Sequence, residues 1–458
     1  MSGSCDILHI PVVIVGAGAC GLTAALALHR QGIECVVLER DAVPAGSTAL
    51  SSGFVPAPST RVQKAADVHD SPQLFAQDIQ NKAHGQAAPA LVQAYSEAIG
   101  PAMDALEAHH QIPWQLLDQF LYPGHSVHRM HAVPEKTGEG LMSRLRAAAD
   151  AAGVVVLTQA QVTALHADDQ GSIHSLSFSQ PDGSTSGLTC DAVILACNGF
   201  GGNAEMVKQH LPAMKDAQYA GHVGNDGSAI AWGVQLGAAL ADMGAYQGHG
   251  SWAIPYGSLI SWAIMMEGGI QINLLGERFH DETQGYSEAA VKVLSQPDGI
   301  AWNVFDSQLL HFAQEFPDFV AAQEAGAIKS AADLAALAAI VGCPLDSLKK
   351  TLSAMNQSGA EDCWGRSFKR PLEAPFYAVK VTGALFHTQG GLNINAQCQV
   401  LQPNGQTLPN LYAAGGAARG VSGAEVWGYL SGNGLLSAIA GGHIAAHAIA
   451  HTFSKKTR

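Results

Sequence analysis

Several familiar patterns are missing from this chain. It has no C-x-x-C pair, no cysteine–histidine set at zinc spacing and no C-x-x-C-H stretch, so neither a zinc-stapled fold nor attached haem is expected, and no metal site. The eight cysteines are scattered, and Cys20 and Cys35 fall inside apolar segments, which reads as buried free thiols in a reducing, cytoplasmic compartment. Charged residues make up only 14%, the formal net charge is −14, and long Lys/Arg runs are absent. That argues against nucleic acid and an anionic membrane surface as natural partners. The N-terminus carries Asp6 and no basic-then-apolar segment, so no export signal is expected. No apolar stretch reads as a membrane span: Leu435 to Ala450 comes nearest, but Gly441-Gly442, His443 and His447 interrupt it and point to a buried core helix. There is no solenoid period, and the fifty glycines gather in turns rather than repeat. What remains is a globular composition, 458 residues and 47% hydrophobic, with room for two or three domains.

The organising stretch is Val12-Val13-Ile14-Val15-Gly16-Ala17-Gly18-Ala19-Cys20-Gly21. It reads as a buried parallel strand, a turn too tight for side chains, and a helix opening at Ala19 and Cys20 with free N–H groups. Gly16 permits the turn, Gly18 lets backbone approach a pyrophosphate, and Gly21 lets helix and strand pack closely. A second apolar strand, Glu34 to Leu38, ends at Glu39, where a carboxylate can accept hydrogen bonds from a ribose diol, with Arg40 beside it. The acid disfavours a 2′-phosphate, since two negative charges would meet. The segment from Pro44 to Gln63 is loop chemistry of small residues and hydroxyls, and it can admit a flat ring against the backbone.

Farther along, Ser71 to His110 reads as helices, and Val154 to Leu165 and Ile173 to Phe178 as strands followed by a Pro181-Asp182-Gly183 hairpin turn. Asp191 to Ala196 is another buried strand, ending in Cys197-Asn198-Gly199 and returning the chain to the first sheet. From about Tyr246 the character changes: Trp252, Tyr256, Trp262, Met265 and Met266 crowd together, and helices dominate from Asp306 to Met355. Glycine-rich strand and turn return at His387-Thr388-Gln389-Gly390-Gly391 and again at Leu411 to Gly415-Gly416. The simplest division is a discontinuous nucleotide domain, 1–245 with 388–458, and an inserted cap, 246–386, with ligands between them.

These residues resemble the flavoprotein superfamily of fumarate reductases and succinate dehydrogenases, which also contains the 3-ketosteroid dehydrogenases. The shared marks are the Gly16-x-Gly18-x-x-Gly21 turn with Glu39, the loop Gly46-Ser47-Thr48-x-x-Ser51-Ser52-Gly53, and Cys197-Asn198-Gly199-Phe200-Gly201. Further marks are Gly276-Glu277-Arg278-Phe279-x-Asp281-Glu282, His387 to Gly391, and Ser431-Gly432-Asn433-Gly434 opening the terminal helix. The resemblance implies an α/β fold: a Rossmann-like FAD-binding domain with a glutathione-reductase-like parallel sheet, and an inserted α+β capping domain. It implies FAD as the dinucleotide, held by the residues named above together with Val162, Gly415, Gly416 and Leu435. It also implies hydride exchange at an activated C–C bond, with a small-molecule substrate and a separate electron acceptor or donor.

Departures from the family narrow the expectation. Succinate dehydrogenases carry a flavin-bonded histidine where this chain has Ser47, so the FAD is expected to be non-covalent. Fumarate reductases place a proton-donating arginine eight residues after Arg278, where Tyr286 stands, and a substrate-clamping arginine where Tyr429 stands. Their relay Arg and Glu fall at Met265 and Trp262, whereas His249 and His387 match the family's substrate-side histidines. Losing two guanidiniums removes what a dicarboxylate needs. Ketosteroid dehydrogenases resemble this chain at Tyr286, where a tyrosine takes the proton beside a ketone, but their Tyr-Pro-Gly turn is replaced by Trp427-Gly428-Tyr429-Leu430. The expected activity is α,β-dehydrogenation of a carbonyl compound, apolar or cyclic, or the reverse reduction. Tyr286 is its acid–base group and Tyr429 polarises the carbonyl with N–H groups near Ser431 to Asn433. A phenol titrating near 10 then needs its anion stabilised by Arg278, His249, His387 or a helix N-terminus. Arg278 also reads as an ion-pair partner of Asp281 or Glu282. Two alternatives stand beside this: a reductase of an unsaturated acid, as in fumarate or urocanate reductases, and a flavin-carrying electron-transfer subunit without a substrate.

Overall fold

The computed structural model describes residues 8–355 and 361–456; Asp6, and with it the N-terminal reading, lies outside the described residues. Contacts divide the chain into two compact units: Met1–Leu211 with Gly221–Tyr246 and His387–Arg458, and Pro212–Ala220 with Gln247–Phe386.

In the first unit the short Val/Ile runs form the middle of one sheet. Val12–Val15 pairs in parallel with Ala192–Leu195 on one side and Cys35–Leu38 on the other. Thr407–Ala413 and Val155–Leu157 extend it in parallel, and Gln399–Leu401 closes one edge in the antiparallel sense. Each of the three central strands is buried at all four positions, as expected where helices cover both faces. The helix Ala19–Arg30 packs against the terminal helix Asn433–Lys456, where a Cβ on Gly442 would stand 2.3 Å from the Cys20 carbonyl oxygen. That contact explains Gly442, while a Cβ on Gly441 would lie 2.9 Å from Ala414 Cβ, and among the described residues no helix is long and apolar enough to cross a membrane.

Two local expectations are corrected. Val154 to Leu165 is two strands rather than one: Val155–Leu157 joins the parallel sheet, while Gln161–Ala167 joins an antiparallel meander with Ile173–Ser179 and Thr185–Thr189. The chain breaks between them because Gln159 turns through φ +55° and the Gln159 and Ala160 N–H groups bond the Asp41 and Glu39 carbonyls. The segment from Pro44 to Gln63 also holds a one-turn helix, Gly46–Ala49, and a second helix, Arg61–Ala65, closed by a Thr60–Gln63 capping box.

The second unit is built on a sheet whose long strand Phe376–Thr388 pairs antiparallel with Ile300–Asp306, which in turn pairs with Ile270–Ile272. Gln218–Tyr219 joins the long strand in parallel, which carries Pro212–Ala220 into this unit. Helices Ser307–Ala313, Pro317–Glu324, Leu334–Val341 and Leu345–Met355 follow. Trp262 and Met265 lie in this unit's core.

Candidate functional site

In the first unit, four segments far apart in sequence follow the carboxyl ends of neighbouring parallel strands. They are Gly16 to Gly18, Glu39, Cys197 to Gly199, and Gly415-Gly416, after Val12–Val15, Cys35–Leu38, Ala192–Leu195 and Thr407–Ala413. Open α/β sheets bind their ligands at that end. Their contacts are close. A Cβ on Gly21 would lie 1.9 Å from the Gly16 carbonyl oxygen, and one on Gly16, at φ +101°, 2.7 Å from that of Ala196. Gly416 and Gly199 are equally confined, by Asn198 Oδ1 and Thr388 Oγ1. Gly18 differs: the nearest protein atom to its missing Cβ is Thr48 Oγ1 at 3.6 Å. No protein atom requires a glycine there, as befits a cradle whose occupant is a ligand.

Hydrogen bonds hold the turn open. Glu39 Oε2 accepts from the Ala17 N–H at 2.8 Å and Oε1 from the Asp41 N–H at 3.0 Å. Thr48 Oγ1 accepts from the Ala19 N–H at 3.2 Å, capping the helix that Gly18 leaves uncapped. Ser51 Oγ donates to the Thr48 carbonyl and accepts from Gly53 N–H. Ser47 Oγ accepts from Asn225 Nδ2 at 2.8 Å and from His222 N–H at 3.3 Å. Arg40 directs its guanidinium to the Gly224 carbonyl and Asp226, and Val162 is buried on the Gln161–Ala167 strand.

The opening of the terminal helix carries a second polar chain. Asn433 Nδ2 donates to Ser422 Oγ at 3.1 Å, and Ser422 donates to Gln389 Oε1 at 2.9 Å. Gln389 Nε2 therefore faces His387 Nδ1, at 3.1 Å, as a donor. Nδ1 also stands 3.1 Å from the Thr388 carbonyl, a contact that would need the proton on Nδ1; the amide held by Ser422 decides for Nε2. Burial pushes the His387 pKa down to about 4, so the ring is neutral. Its Nε2 packs on Gly434, where a Cβ would meet it at 2.5 Å. The buried Tyr429 ring stands edge-on to His387, centroids 5.8 Å apart. Leu435 follows in the first turn of the helix. Asn433 Oδ1 is buried without a hydrogen-bond partner in the protein, an acceptor left for a ligand's N–H.

The second unit brings His249 and Tyr286 together. Their rings stack with centroids 4.8 Å apart and 20° between planes, with Trp262 edge-on to His249 and Phe386 tilted against it. His249 Nδ1 accepts from the Ser251 N–H at 3.0 Å, which leaves the ring proton on Nε2, and burial pushes its pKa down to about 3. Tyr286 is the first residue of the helix Tyr286–Leu294, so its ring leaves the chain at that helix's positive end.

Arg278 stands elsewhere. Its Nε and one terminal nitrogen clamp Glu282 at 2.9 and 2.6 Å, and the other terminal nitrogen bonds Asp362. The buried Arg366 bonds Glu282 as well, at 2.7 Å, together with the Gly269 and Met265 carbonyls. Burial pushes the Glu282 pKa up, but the hydrogen bonds from Arg278 and the charges of Arg366 and Arg278 outweigh it and leave it lowered. Arg278 is thus an anchor of the second unit. Trp262, whose indole N–H donates to the Glu282 carbonyl at 2.9 Å, belongs to the same framework. Arg366 had no signal in the sequence: an arginine in a polar loop, 84 residues from its partner Glu282.

The family described as FAD binding domain matches residues 11–435. The chain belongs to this family. FAD is therefore its cofactor, and the cradle at Gly18, the carboxylate of Glu39 and the unpaired Asn433 Oδ1 fit it. Among similar proteins, a probable fumarate reductase of Shewanella frigidimarina is 28% identical over 97% of this chain and 75% of its own length. A 3-oxosteroid 1-dehydrogenase of Mycolicibacterium smegmatis is 26% identical over 96% of this chain and 97% of its own. The solved structure of the open conformation of a flavocytochrome c3 fumarate reductase superposes with a TM-score of 0.82 at 26% identity, covering 97% of this chain and 78% of that one. This FAD-binding chain is accordingly placed among the FAD-dependent oxidoreductases acting on CH–CH bonds.

Proposed function

We propose that this family member performs α,β-dehydrogenation of an uncharged carbonyl compound, an apolar or cyclic ketone, or the reverse reduction of its C=C bond. One observation carries the reading: the ring group around Tyr286 is neutral. Its imidazole is uncharged, and the guanidiniums of Arg278 and Arg366 are held by Glu282 and Asp362. A dicarboxylate would have no cation of this group to meet.

In the oxidative direction Tyr286 removes the α-proton as the C=C bond forms. Bound FAD supplies the two-electron acceptor for the β-hydride. The phenol needs its anion stabilised to act near neutral pH, and the candidates thin out. Arg278 is occupied, while His249 and His387 are neutral. The opening of the helix Tyr286–Leu294 remains, with Tyr286 as its first residue and Glu288 in the same turn, so its N–H groups rather than a net positive charge are left to meet the phenolate. Tyr429 and the N–H groups of Gly432, Gly434 and Leu435 are assigned to polarising the carbonyl and meeting the flavin's pyrimidine edge. In the reductive direction Tyr286 gives its proton back to the α-carbon.

The relatives named as fumarate reductases favour a second reading, reduction of an unsaturated acid. Anaerobic titration of the purified holoprotein separates the two. Cyclic ketones should bleach the flavin, with no added electron donor, while succinate should not. Reoxidation of the reduced protein by fumarate at rates above those with cyclic enones would overturn the proposal.

A further inference from the structure

The opening of the terminal helix is held from outside by a buried ring. Leu436 N–H bonds the Gly432 carbonyl at 2.9 Å, the regular i to i−4 step. One step earlier, the Ser431 carbonyl would accept from Leu435 in the same register. Instead it accepts from His125 Nε2 at 3.0 Å, and the helix begins only at Asn433. Among the described residues the N–H groups of Gly432, Gly434 and Leu435 have no protein acceptor. A trans peptide carries its C=O and N–H on opposite sides, so a Ser431 carbonyl turned to His125 turns the Gly432 N–H the other way. The plane is kept there: Gly432 sits at φ +87°, and a Cβ on it would lie 2.6 Å from Pro56 Cδ.

His125 is itself held rigidly. Its ring lies over Phe75, centroids 6.2 Å apart, and its Nδ1 faces an Arg129 terminal nitrogen at 3.5 Å. Arg129 is fully buried and clamps Asp70 at 3.0 and 2.9 Å while bonding Asp78. Asp78 also accepts from the Ser126 N–H and hydroxyl, at 2.9 and 2.8 Å. Burial and Arg129 keep the imidazole uncharged, so with Nδ1 turned to a guanidinium the proton stays on Nε2 and His125 is the donor to Ser431.

We propose that His125 is a positioning residue for the flavin. By holding the Ser431 carbonyl out of the helix, it aims unpaired N–H donors at the edge where negative charge collects on two-electron reduction, and so raises the reduction potential. The inference rests on the reading above that this helix opening meets the flavin. No other part of that reading enters, and the identity of the substrate does not matter.

The test is the midpoint potential of the holoprotein, measured at equilibrium against a reference dye. His125→Phe keeps a ring over Phe75 and removes the donor; His125→Gln restores an N–H within reach of Ser431. In the Phe variant the preference for reduced over oxidised flavin should fall about tenfold, a drop of about 30 mV for a two-electron couple. The Gln variant should recover most of it. An unchanged potential in His125→Phe, or an equal fall in His125→Gln, overturns the inference. Should the Phe variant fail to fold, His125→Asn, whose amide is too short to reach, takes its place with the same two outcomes. No substrate is needed, so a failed ketone titration with a shifted potential would sink the proposed activity alone. A successful titration with an unmoved potential would sink only the role of His125.

Discussion

Alanine at each of three glycines in one motif should give different results. At Gly21 the new Cβ would lie 1.9 Å from the Gly16 carbonyl oxygen and force the helix off its strand, and at Gly16 it would lie 2.7 Å from the Ala196 carbonyl oxygen and force the turn off the end of the neighbouring strand. Overpacking of that kind costs about 1–3 kcal/mol. At Gly18 the nearest atom is 3.6 Å away and the backbone, at φ −73° and ψ −173°, is open to any residue. Two small effects oppose each other there. Alanine is the poorer helix cap, by up to about 1 kcal/mol, but it restricts the unfolded chain by about 0.4–1 kcal/mol. The apoprotein of Gly18→Ala should therefore move by less than about 1 kcal/mol in either direction. The cofactor responds otherwise. FAD at a hundredfold its Kd adds about 2.7 kcal/mol to stability, and a methyl group that weakens binding a hundredfold cuts this to about 0.4 kcal/mol. Urea unfolding of the apoprotein, then of the protein with FAD at one fixed concentration, reads both quantities. Gly18→Ala should keep the first and lose the second, while Gly21→Ala should lose the first. A Gly18→Ala protein with the full FAD increment would refute the reasoning, because the pyrophosphate could not then lie against Gly18.

Three further outcomes are expected. Tyr286→Phe should leave flavin content and thermal stability nearly unchanged but slow flavin reduction by substrate about 10²–10⁴-fold in stopped flow; a loss under about threefold would make Tyr286 a packing partner of His249. Acid precipitation should release all the flavin to the supernatant, since Ser47 offers a hydroxyl rather than an imidazole, and colour left in the pellet would contradict this. Stability should decline in mild acid. Burial lowers the pKa values of His125 and His249 to about 3 and of His131 and His387 to about 4, from the ordinary 6.5. The unfolded chain thus binds more protons between those values. The stability is whole above about pH 6.5 and is withdrawn below it, by up to about 1.4 kcal/mol per pH unit for each ring. Urea midpoints that stay level from pH 7 to pH 5 would show that these rings are not buried neutral.

What the sequence determined on its own was the part whose causes are local. The Val12–Gly21 turn, the following helix and strand, and the acid at Glu39 lie within one βαβ stretch, and glycine sterics with apolar runs suffice to read it. The terminal helix was legible for the same reason, as an apolar run that Gly441-Gly442 and two histidines mark as core rather than membrane span. Tertiary structure decided whatever depends on a distant partner. Val154 to Leu165 reads as one strand in sequence, but the Asp41 and Glu39 carbonyls break it in two. Trp262 and Met265 stand where the family's relay residues fall, and only packing put them in the core. Arg278 gave no sign that Asp362 would complete its ring of acceptors, nor Glu282 that Arg366 would reach it. His125 meets Ser431 across 306 residues of chain. A backbone turn is set by sterics among neighbouring residues, whereas the partner of a buried charge or ring is set by which strands and helices the topology lays side by side.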